Sequence, residues 1–358
     1  MKNKNSINSC FRMVLMSFVL FLLIGNIAAE NLRSLANLKG NWKFSIGDNP
    51  QWRMSNYNDS DWETVFVPNS WEQDGFEDYN GFAWYRKKFQ IRIPFESEFV
   101  YLYLGQIDDV DEVYVNGKLV GTSGTFPPIV KTAYNIPRMY PIPVALLHKS
   151  RSNIIAVRVY DEFFEGGIIS GTVGIFIDED QDKLDIDLTG YWDFEIGRPV
   201  DKLNQDCITY RHGKIFVPGF WECRGYNNYD GEAKYTKVFM YPTDLQTTNK
   251  ALILGVIDDQ DEVFLNGEKI KSIRGKWNRR NYNGGDHLRF RVYPISDNLL
   301  KGNAQNLIEV IVTDFTGPGG IYRGPIGITS MDIAREMMKK ELKDNRSSIE
   351  KFIDYWLD

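Results

Sequence analysis

Carboxylates are the residues of this sequence best placed to do chemistry. Asp108, Asp109, Asp111 and Glu112 run into Asn116-Gly117, and Asp258, Asp259, Asp261 and Glu262 run into Asn266-Gly267 in the same order. Calcium takes six to eight oxygens, yet the spacing here is not that of an EF-hand loop. Carboxylates alternating before a hairpin are expected to face solvent or accept from turn amides, so no metal ligand set is assigned. A structural calcium remains possible elsewhere. The 3 histidines, His148, His212 and His287, occupy unrelated positions, which makes none of them an expected general base. No G-x-S-x-G occurs, so a serine nucleophile on a strained elbow is not expected either.

Binding chemistry is better represented. An aromatic face stacks on the apolar face of a pyranose ring while carboxylates and amides take its hydroxyls. Trp71-Glu72 with Tyr79, Asn80 and Trp84, and Trp221-Glu222 with Arg224, Tyr229 and Asp230, offer that combination twice. Trp42 and Trp192 alternate with polar neighbours on strands and are expected in the core. A third cluster, Arg274, Lys276, Trp277, Arg279, Arg280 and Tyr282, is basic and aromatic. Arginines hold carboxylate or sulfate bidentately, so it reads either as an acidic-glycan site or as a solvated loop pairing with acidic surface.

Charge narrows the partners. The net charge is −6; without Lys2, Lys4 and Arg12 it becomes about −9, which gives a nucleic-acid backbone no global attraction. Those three cations precede an uncharged apolar run from Met13 that ends in Ala28-Ala29. Residues 1–29 are therefore expected to be a secretory signal peptide, the protein secreted or periplasmic, and no stable membrane span left after cleavage. In an oxidising compartment Cys207 and Cys223 can pair, or each can serve as a small buried hydrophobe.

The elements that must position these residues come from an internal repeat. Gly40, Trp42, Phe44, Ile46 and Gly47 recur 150 residues later as Gly190, Trp192, Phe194, Ile196 and Gly197. Val67-Pro68 and Trp71-Glu72 recur as Val217-Pro218 and Trp221-Glu222, and G-x-I-D-D-x-D-E-V-x-x-N-G occurs at Gly105–Gly117 and Gly255–Gly267. Beyond that block the offset grows to 153, matching Tyr140 to Tyr293, Asn153 to Asn306 and Gly166-Gly167-Ile168 to Gly319-Gly320-Ile321. Each copy reads as short alternating or apolar strands with Asn-Gly hairpins and no sustained 3.6 period. The expected fold is all-β: two tandem jelly-roll sandwiches, over 30–180 and 181–330. In 331–358 the apolar residues Ile333, Met337, Leu342, Ile349, Phe352, Ile353 and Trp356 fall near helical spacing. This amphipathic tail is expected to dock on the second sandwich or on another chain.

The order G-x-W-x-F-x-I-G, V-P-x-x-W-E, Y-x-G-x-x-W-Y-R-K (Tyr79–Lys87), D-E-V-Y-V-N-G and G-G-I-x-x-G resembles the sugar-binding jelly-roll domain of glycoside hydrolase family 2, found also in β-galactosidases. The resemblance covers Leu38–Ile177 and Leu188–Thr329, and is looser in the second copy, where Lys234 stands at the position of Trp84. It implies that the V-P-x-x-W loop and the loops of Asp161 and Asp314 reach toward sugar. Ser70 and Phe220 precede the tryptophans where those enzymes have Asn, so that contact is not directly inherited. In the family the module flanks a catalytic barrel of roughly 250 residues, whereas only 28 residues follow the second copy. The sequence therefore points to a non-catalytic glycan-binding protein, or to an accessory or scaffold chain of a glycosidase that docks through its tail helix.

Overall fold

The computed structural model describes residues 32–93, 97–134, 136–199, 212–227, 229–245, 247, 249–273 and 288–343. The first copy folds as β1 (Leu32–Asn37), β2 (Gly40–Ile46), β3 (Glu63–Val67), β4 (Gly81–Phe89), β5 (Phe99–Asp108), β6 (Val110–Val115), β7 (Lys118–Ser123), β8 (Pro137–Pro143), β9 (Asn153–Asp161) and β10 (Gly167–Asp178). Four strands form one antiparallel sheet in the order β1-β10-β5-β8, and six form another in the order β3-β2-β4-β9-β6-β7. The second copy, β11 (Ile186–Asp187), β12 (Gly190–Pro199), β13 (His212–Val217), β14 (Gly231–Tyr241), β15 (Lys250–Ile257), β16 (Gln260–Leu265), β17 (Glu268–Ile273), β18 (Phe290–Pro294), β19 (Ala304–Asp314) and β20 (Ile321–Ser330), repeats both sheets in the same order. The protein is thus all-β, two tandem sandwiches, and among the described residues an α-helix runs over 331–343.

Alternation along the strands supplies each core. Leu102, Leu104, Ile142 and Ile175 of the four-stranded sheet meet Trp42, Phe44, Tyr85, Val113 and Val157 of the six-stranded one. Removing each such side chain from water contributes about 1.5–3 kcal/mol. The buried indoles also satisfy their donors: Trp42 Nε1 donates to the Leu38 carbonyl at 2.8 Å, and Trp192 Nε1 to that of Leu188 at 2.9 Å. Asn116 and Gly117 take φ of 50° and 81°, and Asn266 and Gly267 take 53° and 86°, as a tight type I′ hairpin turn demands.

The outward faces of the four-stranded sheets are covered differently. In the first copy Tyr101, Tyr103 and Met139 pack against Phe216 of the second copy, whose ring lies 4.6 Å from that of Phe99. In the second copy Ala251, Ile253, Val256 and Phe290 lie under Ala334 and Met337 of the helix. The described part of the tail, 331–343, therefore packs within the chain, held also by ion pairs from Arg323 to Glu341 and from Lys340 to Asp180, while Ile349, Phe352, Ile353 and Trp356 lie outside the described residues. Among the described residues no helix is long and apolar enough to cross a membrane.

The acidic blocks depart from the expectation of solvent exposure. Asp111 and Asp261 are fully buried, each ion-paired at 2.7 Å to an arginine, Arg138 or Arg291. The arginines lie on β8 and β18, remote in sequence, so no local pattern announces them.

Candidate functional site

The functional geometry gathers at the end of the first sandwich where β5 and β9 finish. Asp108 closes β5, Asp109 follows it, and Asp161 closes β9; one carboxylate oxygen from each lies within 4.8 Å of the others. Asp109 ties two loops together: Oδ1 accepts from Thr132 Oγ1 and Oδ2 from the Glu162 amide at 3.0 Å, while its carbonyl accepts from the Ala133 amide at 2.8 Å. Asp161 is completely buried, and neither of its carboxylate oxygens receives a hydrogen bond of normal distance and angle, although the amides of Phe163 and Glu162 lie beside it.

Electrostatics follow from that crowding. Burial, with the charge of Asp109 next in weight, pushes Asp108 up to about 8. Burial, then Asp109 and Glu72, pushes Asp161 up to about 7, against the amides of Phe163 and Glu162. The nearest guanidinium, Arg138, is committed to Asp111 and to the carbonyls of Ala133, Ile136, Ile107 and Asp109.

The loops that Asp109 joins carry exposed apolar side chains. Phe163 is 64% exposed and Phe164 91%, the latter at a left-handed φ of 72°; Tyr134 and Ile129 on the other loop are also exposed. Aromatic faces beside carboxylates are the pairing that sugar recognition requires. The only signal for this in the sequence is a Phe-Phe pair between Asp161 and Gly166, where no strand alternation demands it.

In the second copy the corresponding carboxylates are more deeply buried. Asp258 and Asp259 are buried, the amide of Asp259 caps Asp258 Oδ1, and Asp259 Oδ2 accepts from the Phe315 amide at 2.9 Å. Asp314 Oδ1 accepts from the Thr316 amide, and burial, followed by Asp230 and Asp259, raises Asp314 to about 8. Phe315-Thr316-Gly317-Pro318 replaces the aromatic pair.

The aromatic residues singled out from sequence are placed otherwise. Trp71 and Trp221 are fully buried, with Gly166 and Gly319 lying over their rings. Trp71 Nε1 donates to the Tyr79 carbonyl, and Glu72 accepts from the Gly166 amide at 3.2 Å. Glu222 is buried, accepting from Trp221 Nε1 and the Gly319 amide, and burial holds it well above the usual carboxylate range. These motifs pin the G-G loop to the sandwich, and their ring faces are not open to stacking. Tyr79 donates to the Phe82 carbonyl, and buried Tyr229 donates to that of Glu232. Trp84 lies elsewhere, on the outer face of the six-stranded sheet with Trp52, Trp62 and Tyr114, its indole donating to Asp48.

Arg224 joins the two sandwiches, donating to the Met139 carbonyl, and Cys223 is a buried free thiol facing the Pro137 carbonyl. Arg274, Lys276, Trp277, Arg279 and Arg280, together with Cys207 and residues 1–31, lie outside the described residues.

No protein-family model matches the chain. A β-glucuronidase of Formosa agariphila is 28% identical over 112 residues, which is 28% of this chain and 11% of that protein. A putative β-glucuronidase of the same organism is 30% identical over 105 residues, 26% of this chain and 10% of that protein. Among solved structures, a Bacteroides uniformis β-glucuronidase aligns at 14% identity and a TM-score of 0.36, covering 80% of this chain and 28% of that one. A putative β-galactosidase from Bacteroides fragilis aligns at 18% identity and 0.33, covering 80% and 36%. The chain therefore spans about a third or less of the length of the proteins it resembles.

Proposed function

We propose that this is an exported, non-catalytic carbohydrate-binding protein of a glycan-degrading system, and that the first sandwich carries its site. The observation behind this reading is the juxtaposition of exposed Phe163 and Phe164 with the carboxylates of Asp108, Asp109 and Asp161 on loops tied together by Asp109. The aromatic faces supply the stacking platform and the half-buried carboxylates of Asp108 and Asp109 take hydroxyls. The second sandwich, whose corresponding carboxylates are more deeply buried, acts as a support.

The names of the relatives put glucuronate-containing glycans first among the probes, with galactosides next. On a glycan array the chain is expected to bind, and Phe164→Ala and Phe163→Ala are expected to weaken that binding by about 1–3 kcal/mol per stacking ring without changing the fold. Binding that survives both substitutions together would sink the assignment.

Burial of Trp71 and Trp221 favours a second reading, that of an accessory or scaffold chain. In it, the sandwiches present surface to a glycosidase and hold no sugar. Absence of binding to every neutral and acidic glycan would select it.

A further inference from the structure

We propose that Asp108, Asp109 and Asp161 form a divalent-cation site, suited to calcium, at the base of the Phe163-Phe164 loop. This does not rest on the glycan reading, since the evidence for it is the state of the carboxylates themselves.

Asp161 carries the inference. Its side chain is wholly excluded from solvent, neither oxygen receives a hydrogen bond of normal distance and angle, the amides of Phe163 and Glu162 notwithstanding, and one of them lies within 4.8 Å of carboxylate oxygens of Asp108 and Asp109. A buried carboxylate is ordinarily paired, hydrogen-bonded or bound to a metal. No lysine or arginine among the described residues forms an ion pair with any of the three, and Arg138 is committed to Asp111. Three oxygens within 4.8 Å of one another lie within about 2.8 Å of a common centre, close to the roughly 2.3–2.6 Å of calcium–oxygen bonds, with waters completing the shell. All the donors are hard oxygens, with no histidine or cysteine, which disfavours zinc.

The second copy is an internal contrast. Asp258, Asp259 and Asp314 occupy the corresponding positions; the amides of Asp259, Phe315 and Thr316 donate to one oxygen of each, while Asp314 Oδ2, like the oxygens of Asp161, has no hydrogen-bond partner. Their oxygens are not among the groups that converge to ligand distance among the described residues. The cation site is therefore assigned to the first copy, where the three carboxylates converge. A cation there would neutralise the crowded charge and fix the Glu162–Glu165 loop against the Thr132 loop.

The test uses the full chain, stripped with a chelator and titrated calorimetrically with Ca²⁺, with Mg²⁺ in parallel. The expected result is one saturable Ca²⁺ site with a rise in Tm, both lost in Asp161→Asn and retained in Asp314→Asn. Because Asp161→Asn removes an unpaired buried charge, the metal-free variant is expected to melt no lower than metal-free wild type, and an unchanged near-UV circular dichroism spectrum shows that it is folded. No heat and no Tm change at roughly millimolar Ca²⁺ would overturn the proposal, as would a Ca²⁺ site undiminished in Asp161→Asn or in Asp108→Asn. Saturation by Mg²⁺ alone would overturn the calcium assignment. Repeating the glycan array in chelator and in Ca²⁺ separates the two readings: Ca²⁺ uptake without glycan binding defeats only the glycan site, and glycan binding without Ca²⁺ uptake defeats only the cation site.

Discussion

Arg138 Nε donates to Asp111 Oδ1 across 2.7 Å with both side chains fully buried, and Arg291 makes the same bond to Asp261 in the second copy. A tyrosine completes each pair: Tyr140 donates to Asp111 Oδ2 at 2.5 Å, and Tyr293 donates to Asp261 Oδ2. Burial raises Asp111, against the pull of Arg138, while the arginine is held charged by the carboxylate. The pair joins β8 to β6, one strand from each sheet, and so clamps the sandwich just below the Asp108-Asp109 corner.

Removing one partner is expected to strand the other's charge in the core. Arg138→Met should lower stability by about 3–5 kcal/mol in urea unfolding. Replacing both partners, with Asp111→Leu added, should recover most of that loss. A double variant no better than the single would show that the arginine acts through its carbonyl contacts and not through the carboxylate.

Gly166 and Gly319 are sites where a methyl group has no room. A Cβ at Gly166 would sit 2.1 Å from the Trp71 ring, and one at Gly319 would sit 2.0 Å from Trp221. Gly166→Ala and Gly319→Ala are each expected to cost about 1–3 kcal/mol and to alter the near-UV signal of tryptophan. An unperturbed melting temperature would show that the loop moves freely off the indole.

The tail helix should behave as part of the second sandwich. Met337→Ala opens a cavity above Ala251, Ile253 and Val256 and is expected to destabilise by about 2–5 kcal/mol. Denaturant midpoints in wild type and variant measure this, and sedimentation should report the same mass for both. An unchanged midpoint would mean that the helix contributes no packing.

Asp178, at the junction of the copies, makes stability depend on pH. Burial is the main cause of its rise from 3.8 to about 7; Asp180 adds to it, while Arg323, Lys340 and the Asp180 amide oppose it. Tyr101 and Tyr103 also face it. Because its folded value lies above its unfolded one, the native state holds the extra proton, so this contribution is complete below pH 4 and is lost as pH rises toward 7. Asp178→Asn should flatten that decline in a series of melts from pH 4 to 8. A decline identical to wild type would place the titration elsewhere.

Much of the fold was legible in the sequence because its signals are local. Period-two alternation set Trp42, Phe44, Trp192 and Phe194 into strands facing a core, Asn-Gly marked both hairpins, and the repeat forced two similar sandwiches. The candidate site was legible only in part. Asp108, Asp109 and Asp161 stood out as carboxylates, yet they are separated by more than fifty residues, and nothing local says that β5 and β9 end at one corner. Trp71 and Trp221 read as stacking residues because Trp beside Glu has one appearance in a loop and another under a glycine.

What the sequence determined by itself was the class of each element and the doubling of the unit, since backbone periodicity and turn chemistry act within a few residues. Tertiary structure alone decided which charges are buried, which aromatics remain exposed, and which surface covers each outward sheet face: the second sandwich over Tyr101 and Tyr103, the tail helix over Ala251 and Ile253. Burial and electrostatic neutralisation depend on neighbours brought from distant parts of the chain, and two nearly identical motifs therefore end with their carboxylates converging in one copy and, among the described residues, not in the other.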